Sequence, residues 1–164
     1  MEKVKVLYIE TSEEPFMLRE VTKEDVEHIK WVKDVVKRMQ KKDVNAVKEF
    51  LHNYYQTELE ENDYLKFPEH CTFRIASRRW WGTPYCDYYI EIDEPNVESI
   101  KEEIENMIED KIGGIKVVDG YYLEITTVSV SATVNRAWGY EVVAIIEMNK
   151  EDYEKLKKLG FVEN

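Results

Sequence analysis

Between Tyr121 and Met148 the chain reads YYLEITTVSVSATVNRAWGYEVVAIIEM, and no other stretch limits the fold as much. Its β-branched residues lose side-chain freedom in a helix and pack well on a pleated surface, so strands are expected. Along 121–136 the apolar parity switches between Ile125 and Val128, which places a bulge near Thr126-Thr127. Trp138-Gly139 is expected to turn the chain into a further strand, YEVVAIIEM. Just upstream, Asp119-Gly120 in KVVDGYYL has the form of a two-residue hairpin turn.

The remaining elements are read around that sheet. KVKVLYI (3–9) alternates as a first strand, and FMLREV (16–21), after Pro15, reads as a short second one. Thr22 and Asp25 form a capping box with Asp in place of Glu, opening a helix over 23–41. On a helical wheel Trp31, Val32, Val35, Val36 and Met39 share one arc, while Lys23, Glu27, Lys30, Lys33, Lys37 and Lys41 face away. Asp43 caps a second helix over 44–58, and the short joint makes a helical hairpin. Strands over 71–80 and 85–92 precede a helix over 97–112, capped by Asn96 and stopped by Gly113-Gly114. Asn149 caps a last helix, and Gly160-Phe161 closes it in a Schellman motif.

The expected class is α+β, an antiparallel sheet with helices packed mainly on one face. Strand, helical hairpin, two strands, helix and strand read βαββαβ. That is a ferredoxin-like core with an inserted helical hairpin and a C-terminal strand–helix extension. A length of 164 residues suits one globular domain over 1–164, and no linker or repeat interrupts it. No apolar run reaches the roughly 18 residues of a membrane span. The opening MEKVKVLYIE lacks an apolar signal segment, so no membrane role and a cytoplasmic location are expected. Lys and Glu are abundant beside only 2 glutamines, a bias of thermophile proteins that AT-rich coding would also favour.

The aromatic stretch RRWWGTPYCDYY (78–89) is read first as a hairpin with Trp81–Pro84 as its loop. That register sets Arg78 opposite Asp87, Arg74 opposite Glu91 and Ile75 opposite Ile90, which accounts for most of the motif. Arg79, Trp80 and Trp81 are left over at the tip, a composition common in interface hot spots. Cys71 and Cys86 are too few for a disulfide framework. They would also lie about 23 Å apart along the hairpin, too far for one zinc ion to join them with His70. Glu49 and His52 form an E-x-x-H pair, but the second copy and two further glutamates of a di-iron bundle are missing, so the pair reads as a solvated helix face. His28 falls inside the apolar arc of its helix and is expected to be a buried, hydrogen-bonded residue. Ser129, Ser131 and Thr133 have no nucleophile elbow, and no phosphate-binding glycine loop occurs. Neither a cofactor nor an enzymatic activity is expected.

Charge directs the functional reading. Against 23 Lys and Arg stand 34 Asp and Glu, a net charge of −11 that disfavours direct nucleic-acid binding. The acidic excess is concentrated on the 97–112 helix, whose outer face carries Glu98, Glu102, Glu103, Glu105, Glu109 and Asp110. Glu98 with Glu102 and Glu105 with Glu109 are like-charge i,i+4 pairs, and Glu109 and Asp110 oppose the helix dipole. The expected function is a regulatory or inhibitory interaction module. Glu98, Glu102, Glu105 and Glu109, with Arg79, Trp80 and Trp81, would dock on a basic partner, in one variant a nucleic-acid-binding protein whose groove they block. The alternative is a small-molecule or nucleotide-binding α+β domain, including a hydrolase.

Overall fold

The computed structural model describes residues 2–41, 43, 45–46, 49–50, 74–78, 85–130 and 134–163. Its class is α+β, with antiparallel strand pairs and helices. The chain gathers into two compact units: one of Met1–Lys30, Asp93–Tyr122 and Tyr140–Asn164, the other of Trp31–Ile92 and Leu123–Gly139.

In the first unit β1 (Lys3–Thr11) lies between β2 (Met17–Glu20) and β6 (Val134–Asn149), and β5 (Lys116–Val130) follows on the far side of β6. Both β1 ladders are antiparallel, with Tyr8 opposite Leu18 on one edge and Ala144 on the other. This ladder differs from a split βαβ. The short strand at 17–20 folds straight back onto β1, and β6 takes the remaining edge, so neither β3 nor β4 pairs with β1.

Period-2 and period-4 patterns meet in one core. Val6 and Tyr8 from β1, and Ala144, Ile146 and Met148 from β6, are buried on a shared face. Ile100 and Ile104, one turn apart on α2 (Val97–Ile108), and Leu156 of α3 (Lys150–Lys158) complete the cluster. Each such aliphatic side chain contributes about 1.5–3 kcal/mol by leaving water. The run Val142–Ile146 is buried at every position, so both faces of this part of β6 are covered.

Several caps stand where the residues place them. Thr22 N–H donates to Asp25 Oδ2 (2.8 Å) and Asp25 N–H to Thr22 Oγ1 (3.2 Å), closing the box that opens α1 (Lys23–Gln40). Arg19 adds two bonds to Asp25, at 2.7 and 2.6 Å. The end of α3 is a Schellman motif: Phe161 N–H donates to Leu156 O (3.0 Å), Gly160 N–H to Lys157 O (3.2 Å), and Gly160 has φ 88°.

Four local expectations are corrected. Asp119-Gly120 is no turn, because β5 runs through it. Gly120 has φ 147°, and a Cβ there would sit 2.4 Å from Val143 O, so the glycine serves close backbone approach within a sheet. Trp138-Gly139 likewise lies inside β6, where Trp138 Nε1–H donates to Glu124 of β5. The helix α2 ends at Ile108, not at 112: Glu109 adopts φ 57°, and the chain turns so that Ile112 enters the core. Asn149 precedes α3 without a side-chain cap, since its Nδ2 donates instead to Gly113 O (3.3 Å).

In the second unit Val32, Val35, Val36 and Met39 of α1 are buried, as are Ala46 and Phe50. Asp43 accepts from Asn45 N–H (3.0 Å) and Ala46 N–H (3.3 Å), the expected cap, and Asn45, Ala46, Glu49 and Phe50 are helical. Arg38 bonds Asp34 (2.9 Å) on its own helix and Glu49 (2.8 Å) on the next, so Glu49 is an ion-pair partner; His52 lies outside the described residues. The strand β3 (Arg74–Arg78) pairs antiparallel with β4 (Tyr85–Asp93), as expected, but the register slips by two. Arg78 stands opposite Tyr85 and Asp87 opposite Ala76, so the expected Arg78–Asp87 and Ile75–Ile90 pairs do not form.

Candidate functional site: the acidic flank of α2

Asn96 fixes the phase of α2. Its Oδ1 accepts from the backbone N–H groups of Glu98 (3.0 Å) and Ser99 (3.1 Å), starting the helix at Val97. That start sends Ile100 and Ile104 into the core and sets Glu98, Glu102, Glu105 and Glu109 along one outer stripe. Glu98, Glu102 and Glu109 are exposed. Glu105 is half-buried, and its Oε2 accepts from Ile112 N–H (3.0 Å), so it closes the chain behind the helix instead of facing solvent. Asp110 faces Lys155 at 3.4 Å. Arg79, Trp80 and Trp81 lie outside the described residues.

Glu103 departs from the outer stripe. It is half-buried and lines a cavity of about 470 Å³ on the flank of α2. Three more carboxylates line the same space: Glu10 from β1, Asp93 from the end of β4, and Glu94. Buried Ile100 and Val142 give it an apolar floor. Tyr122 and Tyr140 form one wall, their rings stacked at 5.5 Å with 21° between planes.

Glu10 is held in place by two phenols. Tyr8 OH donates to Oε1 (2.5 Å) and Tyr140 OH to Oε2 (2.5 Å). Tyr8 shares the core face of β1 two residues before Glu10, so strand alternation alone aligns the pair. Burial, and then the bond to Glu10, push the Tyr8 phenol well above its ordinary range. Tyr140 is pushed up to about 12, first by its bond to Glu10 and then by burial. Both phenols therefore stay protonated as donors across the neutral range. Among the described residues no donor reaches the Glu103 carboxylate. Burial raises its pKa, and the negative charges of Glu10 and then Glu102 raise it further. The cavity thus gathers carboxylates around Glu103, which among the described residues has no ion-pair partner.

His28 does not occupy the buried position expected of it. It is exposed on α1, yet its Nε2 lies 3.3 Å from the hydroxyl of buried Tyr121, which donates to Glu141 (2.6 Å). The tyrosine, not the histidine, fills the core there.

Among the described residues no group of three or more His, Cys, Asp and Glu is placed to hold a metal ion. Cys71 and His70 lie outside those residues, and Cys86 stands opposite Ser77 in β4. No helix among the described residues is long and apolar enough to cross a membrane.

Sequence reasoning found the outer stripe of α2 but missed Glu10, Tyr8, Tyr122 and Tyr140. One signal was available: Glu10 continues the buried parity of Val6 and Tyr8, which marks a carboxylate on an apolar strand face. No protein-family model, no curated protein and no solved structure matches the chain.

Proposed function

We propose that the chain is a recognition module that docks the acidic face of α2 on a basic protein surface. The observation that carries this reading is the exposure of Glu98, Glu102 and Glu109 on one stripe, beside a cavity lined by four more carboxylates. Like charges at i,i+4, such as Glu98 with Glu102, cost a helix a few tenths of a kcal/mol, and among the described residues no ion pair offsets that cost. A basic partner would. Electrostatic complementarity of this kind sets partner choice and association rate more than raw affinity. A basic surface that also takes nucleic acid is a natural target, and the module would then compete for the groove, working in the cytoplasm. The alternative of a nucleotide-binding domain is disfavoured by the same carboxylates, which repel phosphate.

The test uses a labelled oligolysine peptide as probe, with affinity followed by fluorescence anisotropy. Glu98→Lys, Glu102→Lys and Glu109→Lys combined should abolish binding while the thermal midpoint holds or rises. A charge-matched control, Glu13→Lys, Glu14→Lys and Glu27→Lys, changes three exposed residues elsewhere. It should lose far less affinity. Wild-type binding should weaken steeply with salt, because exposed charges are screened beyond about 8 Å at physiological ionic strength. Equal loss in the two triple variants would reduce α2 to a contributor to net charge.

A further inference from the structure

We infer that the cavity between Glu10, Glu103 and the Tyr122–Tyr140 pair is a subsite for a single alkylammonium group, supplied by a lysine side chain of the docked partner. The inference rests on the docking reading and names the group that enters the cavity.

Three features of the cavity select this chemistry. Its charged walls favour a cation: Glu10 and Glu103 line the same space, and a positive group between them would offset their mutual repulsion. The cation must be extended and not a point charge. The carboxylates are spread around about 470 Å³, and no three among the described residues converge as metal ligands do. The cation must also carry an apolar stem, since Ile100 and Val142 form the floor and two stacked tyrosine rings form a wall. A lysine side chain meets all three conditions: its methylenes cover apolar surface while its ammonium reaches carboxylates and the ring faces.

The site is oriented before any ligand arrives. Two phenol donors fix the Glu10 carboxylate, so part of the ordering cost of binding is met by the fold. Glu103 is the complementary group, a half-buried carboxylate to which no described donor bonds. Its raised pKa is what a carboxylate awaiting a counterion would show, and a bound ammonium should return it toward the ordinary range.

The experiment titrates the intact chain with Nα-acetyl-lysine methylamide, with butane-1,4-diamine and with the neutral butane-1,4-diol, each followed by calorimetry and by tyrosine fluorescence. The lysine amide should bind saturably and the diol should not. Glu103→Gln should weaken the lysine amide by about tenfold or more with unchanged circular dichroism, a loss on the scale of one charge-assisted contact. Tyr140→Phe keeps both rings but removes a hydroxyl from Glu10, and it should weaken binding by a smaller factor. Binding of both amines supports the ammonium subsite. Binding of the diamine alone would overturn the lysine source and assign the cavity to a free diamine. No saturation by either amine, equal affinity for the diol, or an unchanged affinity in Glu103→Gln would overturn the subsite itself.

Failure here and failure of the docking reading separate cleanly. The Glu98, Glu102 and Glu109 reversals replace no cavity-lining residue, and Glu98→Lys with Glu109→Lys, which spares the Glu102 charge that acts on Glu103, should leave lysine-amide affinity within a few-fold. If oligolysine binds through α2 while the lysine amide does not bind, the subsite falls and the docking surface stands.

Discussion

At the scale of single residues, position and partner decide what the same side chain does. Glu103, Glu105 and Glu109 lie within seven consecutive residues, yet one lines a cavity, one accepts from a backbone N–H, and one is exposed. Glu103 has a folded pKa above its unfolded value, so its contribution to stability is fully present below the ordinary carboxylate range and is lost as pH rises through the folded pKa. Glu103→Gln should therefore raise the thermal midpoint at pH 7 and lose that advantage below about pH 4. Denaturation at the two pH values checks the sign. Asp25 has the opposite sense: its bonds to Arg19, and then those to Thr22, hold it below the ordinary range. Its stabilisation is present at neutral pH and fades as the solution is acidified through the folded pKa. Asp25→Ala should cost roughly 2 kcal/mol at pH 7, since a cap and a charge-assisted pair are lost together. Gly120→Ala should cost about 3 kcal/mol or more in urea denaturation, because both φ 147° and the contact with Val143 O oppose a Cβ.

Elements with strong local signals were legible in the residues. Asn96, Asp43 and the Thr22–Asp25 box each use a short polar side chain to bond nearby N–H groups, and such bonds depend only on local spacing. The Schellman end at Gly160 was readable for the same reason, and Gly160→Ala should cost about 1 kcal/mol through its φ of 88°. Asn149 and Asp119-Gly120 misled because their local chemistry lost to a partner distant in sequence: Gly113 O captures one side chain, and the β6 backbone presses on the other position. The slip between β3 and β4 has a related cause. Cross-strand pairing energies differ by fractions of a kcal/mol, so a charge match such as Arg78 with Asp87 does not fix a register. The cavity was hidden because its walls come from β1, the end of β4, α2, β5 and β6, and periodicity within one element says nothing about which others it meets.

At the scale of the whole molecule, the chain carries a net charge of −11, and α2 contributes exposed Glu98, Glu102 and Glu109 beside a cavity lined by four carboxylates. The α+β class followed from the β-branched run and the amphipathic helices, whereas the strand order depended on which edge of β1 each strand took. Amide chemical-shift mapping with the oligolysine probe tests whether α2 is the docking face. The expected result is that shifts cluster on Val97–Ile108 and Glu109, with further changes at Glu10, Tyr122 and Tyr140 as the cavity fills. Shifts confined to Trp80 and Trp81, or spread evenly over acidic residues throughout the chain, with α2 unperturbed, would contradict it.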